Sequence, residues 1–219
     1  MVTYEQIKNN AEINCYIQKA NEHLKVLGYT DHSKIHCLRV VAVAEKILTA
    51  LRYDERKVEL AKIAAYMHDI GNMVNRNDHA YSGGVIAFQI LSRLGMDFDE
   101  IGSIVGAIGN HDELGGDAVN SICAAVILGD KTDVRRSRVR NRTISSFDIH
   151  DRVNYAVTRS DVMTDAKNKT ITLDLTIDTE ISSVTSYFEI FLGRMMMCTK
   201  AAEYLGCQFA LVINGAKLL

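Results

Sequence analysis

The fold of this chain is decided at residues 64–71, which read Ala64-Ala-Tyr-Met-His68-Asp69-Ile-Gly71. An apolar segment, typical of a buried helix, runs directly into a histidine and an aspartate, and a glycine follows. The preceding residues predict a helix that Asp54 caps and that stops at this segment. A histidine or carboxylate on the buried side of a helix is unfavourable without a partner. The stretch therefore predicts partners from other helices.

Four further predicted helices carry a polar side chain on their apolar side. They are 33–51 with His36, 78–95 with His79, 97–111 with His111 and 119–139 with Asp130. Each of these residues keeps the three-and-four spacing that places it beside apolar neighbours. One such histidine alone is usually satisfied by a backbone carbonyl. The same feature in five helices indicates a shared site.

The positions of these residues along their helices favour convergence. His36 and His79 begin helices, whereas His68-Asp69 and His111 end them. Consecutive antiparallel helices would bring these four places to one end of a bundle. Asp130 fits less well because it lies about eleven residues into its predicted helix, so a longer crossover at 112–118 would be needed to position it.

Four imidazoles and two carboxylates without a thiolate indicate a metal site, and two divalent ions are expected. Iron or manganese suits this donor set best, and zinc, cobalt and nickel stay open. A carboxylate can bridge two ions about 3.5–4 Å apart. Such a pair makes hydroxide available from bound water near neutral pH and clamps the oxygens of a phosphoryl group.

The fold is expected to be mainly α, with a helical domain at 1–142 and a small α+β appendage at 143–219. The absence of proline favours uninterrupted helices in the first part. The appendage follows a β-β-α-β pattern, with strands at 153–163, 170–177 and 209–213 and a helix at 184–205. We expect it to pack on the helical domain or to mediate a homodimer.

The composition excludes several classes of protein. The 219 residues are 47% hydrophobic and 24% charged, with a net charge of −2, so neither a disordered chain nor an electrostatic nucleic-acid binder is expected. No apolar run approaches the roughly 18 residues of a membrane helix, and no signal peptide is apparent. The five cysteines form no Cys-x-x-Cys pair, which favours a reducing cytoplasm over a zinc finger or a disulfide framework.

The motifs resemble those of the HD-domain superfamily of metal-dependent phosphohydrolases. The segment that begins at His36 resembles its first motif, 64–71 its second and Leu128-Gly-Asp130-Lys-Thr-Asp133 its last. Members with two metals add histidines between these motifs, where His79 and His111 stand here. The resemblance covers about 30–140 and does not reach the appendage.

The resemblance implies an HD-domain helical bundle with six metal ligands. These are His36, His68, Asp69, His79, His111 and Asp130, with Asp69 as the bridge. It also implies hydrolysis of a phosphomonoester or phosphoanhydride of a small, nucleotide-like substrate by a metal-bound hydroxide. We expect catalytic roles for His68, Asp69, Lys131 and Asp133, and substrate contacts for His32, Asn72, Arg76 and Arg135.

The chain departs from the superfamily pattern at two places. Asn72 stands where many members have a lysine, so the role of that lysine does not carry over. Asn110 precedes His111 where cyclic-di-GMP phosphodiesterases have a His-His pair, and a chain without proline lacks their Gly-Tyr-Pro signature. That substrate class is disfavoured.

Three readings stay open at this point. The same ligand set occurs in HD-fold mixed-valent diiron oxygenases, and a non-catalytic metal-binding sensor or scaffold is a further alternative.

The spacing of Lys131, Arg135, Arg138 and Arg142 predicts one basic face on the helix 119–139. This face is either solvated or guides an anionic substrate.

Overall fold

Capping residues determine where the helices begin. In this computed structural model, which describes residues 1–219, the elements are α1 (Tyr4–Lys8), α2 (Ala11–Val26), α3 (Lys34–Ala50), α4 (Glu55–Met67), α5 (His79–Arg93), α6 (Phe98–Gly109), α7 (Ser121–Lys131), α8 (Ile149–Ala156), β1 (Val157–Asp165), β2 (Thr170–Ile177), α9 (Val184–Tyr204), β3 (Gln208–Ile213) and β4 (Ala216–Lys217). Short 3-10 turns lie at Ile70–Met73, Arg136–Arg138 and Ile144–Ser146. Ser33, Asp54 and Asn120 accept backbone N–H bonds in the first turns of α3, α4 and α7. These caps fix where the ligand-bearing helices begin.

The fold is mainly α, as the sequence predicts, with the small sheet at its C-terminal end. Helices α4 and α7 pack against each other and each against α3 and α6, and α5 packs on α6. None of the helices combines the length and the apolar character that crossing a bilayer requires.

The prediction of one helix over 119–139 is wrong. α7 ends at Lys131, and the Oγ1 of Thr132 donates to the carbonyl oxygen of Leu128 at that end. Arg138 then turns inward and donates to the carbonyl oxygens of Asp31 and Asp133 at 2.9 and 2.8 Å. Since its side chain is buried, the predicted basic helix face does not exist. These tertiary contacts outweigh local helix propensity.

The sheet has the predicted β-β-α-β order with one element added on each side. Its strand order is β1-β2-β3-β4. β1 and β2 are antiparallel, whereas β2 and β3 are parallel and α9 connects them. The first strand begins at Val157 rather than 153, because Asp148 caps a short helix, α8, ahead of it.

The C-terminal part packs on the bundle. One continuous cluster of buried apolar residues runs from α1 to β3, and α9 lies against α7. Two cations of α3 reach the outermost strand: Arg39 donates to the carbonyl oxygen of Ser160, and Lys46 Nζ lies 2.6 Å from that of Val162. The division at 142/143 stays a prediction.

Candidate metal centre

The four predicted histidines lie at helix ends that meet at one end of the bundle. His36 is in the first turn of α3 and His79 begins α5, whereas His68 directly follows α4 and His111 lies two positions beyond α6. All four side chains are buried. The centroids of neighbouring rings are 5.1 Å apart for His36 and His68, and 5.0 Å apart for His68 and His111 and for His79 and His111.

Asp130 reaches the same place because α7 is shorter than predicted. The helix runs from Ser121 to Lys131, so Asp130 is its second-last residue rather than a mid-helix one. The long loop between α6 and α7 provides the crossover that this placement needs. All six predicted ligands therefore lie together.

One half of the cluster surrounds Oδ2 of Asp69. This oxygen lies 3.6 Å from Nε2 of His36 and 3.2 Å from Nε2 of His68. Oδ1 of Asp130 faces the same two nitrogens at 3.3 and 3.7 Å. Two imidazoles and two carboxylates thus surround one small space.

The other half surrounds Oδ1 of the same aspartate. This oxygen lies 3.5 Å from Nε2 of His79 and 3.8 Å from Nε2 of His111. The two ring nitrogens are 3.2 Å apart. Asp69 therefore presents one carboxylate oxygen to each pair of histidines.

The orientation of each ring is fixed by its other nitrogen. The Nδ1 atoms of His68, His79 and His111 donate to the carbonyl oxygens of Ala65, Arg76 and Ile108 at 2.8, 3.0 and 2.6 Å. The Nδ1 of His36 donates to Oδ2 of Asp133 at 2.8 Å. These bonds assign a proton to each Nδ1 and turn every Nε2 toward the cluster.

The donor atoms fit divalent metal ions. The facing Nε2 atoms of His36 and His68 are 3.2 Å apart, and both rings already donate through Nδ1, so a shared proton or a cation must lie between these two nitrogens. Oδ2 of Asp69 is buried and accepts no hydrogen bond. Imidazole nitrogen with carboxylate oxygen and no sulfur is a set that iron, manganese and zinc accept.

The pKa shifts favour charged carboxylates in this cluster. Burial raises the pKa of Asp69 and of Asp130, but His68 near the first and Lys131 near the second outweigh it and hold both well below the usual range. Burial lowers the pKa of His79 to about 4, so this ring is neutral. Burial also lowers the pKa of His68, but Asp69 and Asp130 outweigh it and raise the value to about 10. The two carboxylates thus favour a positive charge at this position, which a bound cation would supply in place of the ring proton.

Gly71 allows the helix α5 to approach the His68-Asp69 turn. A Cβ atom at this position would lie 1.9 Å from the carbonyl oxygen of His79 and 2.5 Å from the amide nitrogen of Gly83. No side chain fits between these two pieces of backbone. The glycine of the deciding stretch is thus needed to bring His79 next to Asp69.

Asp133 and Lys131 lie around the ligands and not among them. Asp133 is fully buried behind His36. Its carboxylate accepts a hydrogen bond from the His36 ring and lies 2.9 Å from Arg39 Nε. Lys131 Nζ lies 2.7 Å from Oδ2 of Asp130, the oxygen that faces away from the histidines. Asp133 therefore positions a ligand, and Lys131 balances the charge of one.

Two of the predicted substrate contacts do not border a cavity at the metal ligands. Asn72 is buried, and its amide donates to Oδ1 of Asp69 at 2.8 Å, so it positions the central carboxylate. Arg135 Nε lies 2.7 Å from Oδ1 of Asp133, and its guanidinium borders a surface groove with Arg136 and Arg159. That groove does not include a metal ligand. The structure thus separates Arg135 from the cluster.

His32 and Arg76, the other two predicted contacts, border a small cavity against Asp69 and Asp130. The Nδ1 of His32 donates to the carbonyl oxygen of Thr30 at 2.7 Å, and burial lowers its pKa well below the usual range. Arg76 Nη1 lies 3.3 Å from Oδ1 of Asn72 and 4.0 Å from Oδ1 of Asp69.

A larger cleft of about 780 Å³ shares lining residues with this cavity. His32, Arg76 and Arg194 border both spaces, and Phe191 joins Arg194 from α9. His150, at the start of α8, also borders the cleft. These C-terminal residues were missed because the motif pattern ends before residue 143. One signal was available: Arg194 is the only Lys or Arg between 184 and 199.

The comparison with protein families gives one match. The family description "HD domain" matches residues 34–151, more than half of the chain. This segment contains all six predicted ligands. A divalent-metal site is what the match implies, and the cluster of histidines and aspartates fits it.

Two further proteins are similar over part of their length. The uncharacterized protein MJ1020 of Methanocaldococcus jannaschii is 27% identical over 171 residues, which are 67% of this chain and 65% of that protein. A crystal structure of a predicted HD superfamily hydrolase from an uncultured Thermotogales bacterium is 24% identical, with a TM-score of 0.46. The alignment covers 57% of this chain and 67% of that one.

Proposed function

The chain belongs to the HD-domain family, and we propose that it is a metal-dependent phosphohydrolase. Its substrate is a small phosphorylated compound, a phosphomonoester or phosphoanhydride of nucleotide-like size. The observation that carries this proposal is the placement of Asp69 between two histidine pairs beneath a cavity bordered by cations.

The donor atoms divide into two sets. His36, His68, Asp130 and Oδ2 of Asp69 would hold one ion, and His79, His111 and Oδ1 of Asp69 the other. Two bound divalent ions lower the pKa of a coordinated water and stabilise the attacking and leaving oxygens of a phosphoryl transfer. Iron and manganese are the ions we propose first.

The remaining residues of the cavity favour an anionic substrate. Arg76, Lys131 and Arg194 border it, so its charge is not that of the carboxylates alone. Burial lowers the pKa of Lys131, but Asp130 and Glu113 outweigh this and raise it, so the ammonium group stays charged. In this proposal Arg76 binds phosphoryl oxygens and Lys131 keeps one oxygen of Asp130 away from the ions.

His32 is suited to accept a hydrogen bond from the substrate. Its Nδ1 proton is committed to Thr30, which leaves the lone pair of Nε2 free. Because burial holds its pKa well below the usual range, the ring stays neutral near pH 7. We assign it to a hydroxyl group of the substrate or to a water molecule, not to a phosphate oxygen.

The proposal is tested by phosphate release. Protein purified without chelator and loaded with Mn²⁺ or Fe²⁺ is assayed against a panel of phosphomonoesters, nucleotides and dinucleotides. Free phosphate is measured for the first two, and nucleotide products are measured by chromatography for the dinucleotides. We expect release that needs the metal and falls to background in Asp69→Asn, while Asp99→Asn, an exposed aspartate on α6, keeps it.

Two results would overturn the proposal. Metal-loaded protein that neither releases phosphate from a member of the panel nor splits a dinucleotide into nucleotides is not a phosphohydrolase of this class. Uptake of oxygen by the Fe²⁺-loaded protein, coupled to cleavage of a carbon bond, would identify an oxygenase instead.

A further inference from the structure

Helix α9 brings one arginine from the C-terminal part of the chain to the metal ligands. Arg194 borders the small cavity against which Asp69 and Asp130 lie. It stands among apolar residues, with Phe191 three positions before it and Met195 directly after it. Both of these neighbours are buried, whereas about a quarter of the Arg194 side chain is exposed, at 26%.

The guanidinium of Arg194 is held in place from two sides. Its Nε lies 2.7 Å from Oε1 of Glu113, and its Cζ lies 4.4 Å from the centroid of the Phe191 ring. Neither Nη atom donates a hydrogen bond within the protein; the Nε–Glu113 bond is the one contact of this group with an acceptor. A fixed plane with two free N–H₂ groups matches the paired oxygens of a phosphate.

The other arginines beside the ligands are less free. Arg138 uses Nε and Nη1 on the carbonyl oxygens of Asp31 and Asp133. Arg76 uses Nη1 on Asn72. Arg194 is thus the guanidinium at this cavity that keeps both Nη groups for a ligand.

Alternating charges connect Arg194 to the metal ligands. Lys131 Nζ lies 2.7 Å from Oδ2 of Asp130 and 3.4 Å from Oε2 of Glu113, whose other oxygen binds Arg194. The two cations therefore share Glu113. This arrangement keeps Arg194 beside the ligands and not in the solvent.

We propose that Arg194 binds the phosphoryl group of the substrate through its two Nη atoms, and that it makes the enzyme selective for phosphomonoesters over diesters. A monoester offers three unesterified oxygens and two negative charges, so it can satisfy the ions and the arginine together. A diester has only two such oxygens and one charge. The C-terminal part would thus complete the active site, and this assignment rests on the proposed function.

The test compares three full-length variants with the unmodified protein, all loaded with Mn²⁺. Arg194→Gln removes the charge, Arg194→Lys keeps it without the planar fork, and Lys200→Gln is the matched control. Lys200 also lies on α9 and ties it to the same loop, since its Nζ is 3.1 Å from Oδ2 of Asp117, but this pair is exposed and outside the cavity. The probes are p-nitrophenyl phosphate, bis-p-nitrophenyl phosphate and inorganic phosphate.

We expect Arg194→Gln to raise the KM for the monoester at least about tenfold, the loss of a charged hydrogen bond. The KM for the diester should change less. The inhibition constant of inorganic phosphate should rise together with the KM for the monoester. The constants of Arg194→Lys should lie between those of Arg194→Gln and those of the unmodified protein. The constants of Lys200→Gln should equal those of the unmodified protein. All four proteins should carry equal metal.

Two outcomes would overturn the assignment: an equal change of the monoester KM and the diester KM in Arg194→Gln, or an equal change of KM in Arg194→Gln and Lys200→Gln. Both are expected if Arg194 only holds the C-terminal part in place. If the unmodified protein hydrolyses neither ester nor any member of the nucleotide panel, the proposed function fails on its own. Calorimetric titration of the Mn²⁺-loaded proteins with inorganic phosphate then decides the inference. Weaker binding in Arg194→Gln supports it, and unchanged binding refutes it.

Discussion

The ring of His36 and the carboxylate of Asp133 share a hydrogen bond of 2.8 Å between Nδ1 and Oδ2, although 97 positions separate them in the chain. Both side chains are fully buried. Arg39 and Arg135 bind the other oxygen of the same carboxylate at 2.9 and 2.7 Å. The direction in which a metal ligand points therefore depends on a residue outside the ligand set.

Replacement of Asp133 by Asn should weaken metal binding without unfolding the protein. The amide keeps the size of the carboxylate but loses the charge that holds the His36 ring and the two arginines. Loss of such a supporting group lowers metal affinity about 10–100-fold. The measurement is a titration with Mn²⁺, with Asp161→Asn as the control, since Asp161 pairs with Arg159 at the surface. Equal affinity in both variants would contradict the role of Asp133.

The two halves of the cluster should lose their ions separately. Elemental analysis of protein prepared without chelator should give about two ions per chain, as expected of a carboxylate-bridged pair. His111→Ala removes a donor from one half only, so about one ion should stay, whereas Asp69→Ala should lose both. One ion per chain in the unmodified protein, even after reconstitution, would be incompatible with the arrangement around Asp69.

Gly71→Ala should destabilise the protein far more than another Gly→Ala change. The new methyl group would overlap backbone atoms of α5, and overpacking against groups that cannot move costs about 3 kcal/mol of unfolding free energy or more. Gly102→Ala is the control, because a Cβ in that exposed turn of α6 meets nothing within 4 Å. It should raise stability by about 0.5–1 kcal/mol. Urea unfolding measures both, and similar values would refute the packing argument.

One cysteine should react much faster than the other four. Cys15 is exposed, whereas Cys37, Cys123, Cys198 and Cys207 are buried. Burial raises the pKa of Cys123 to about 11 and also raises those of Cys37, Cys198 and Cys207, so little thiolate forms at pH 8. Mass spectrometry after brief alkylation should find one modified site. Rapid labelling of all five cysteines in folded protein would contradict the burial of these four.

The fragment 1–142 should not form a stable domain. α7 is buried along almost its whole length, and α9 covers one of its sides. Removal of residues 143–219 exposes this side, so we expect strong binding of a hydrophobic dye and no cooperative thermal transition. Cooperative melting of the fragment with full metal content would instead support an independent domain that ends at 142.

The ligand residues could be predicted because their signal is local. A histidine or aspartate at the end of an apolar stripe is visible in a short window, as at His68-Asp69 and His79. Five such places leave few arrangements in an antiparallel bundle. The same window could not distinguish Asn72, which supports Asp69, from a residue that faces the substrate.

The end of α7 could not be read in this way. Arg135, Arg138 and Arg142 have helical spacing, but Arg138 is fixed by the distant carbonyl oxygen of Asp31. A bond across 107 positions leaves no trace in a local pattern. Arg194 was missed for a related reason, since the sequence of α9 does not specify which part of the bundle it crosses.

The contacts that Arg39 and Lys46 make with β1 also influence how molecules of this protein meet at high concentration. The edge of a sheet with free carbonyl and amide groups can pair with a strand of another molecule. Here two carbonyls in the middle of the edge strand β1 already accept bonds from α3. Intermolecular strand addition, a common start of aggregation, is therefore hindered at this edge by the helix that carries His36.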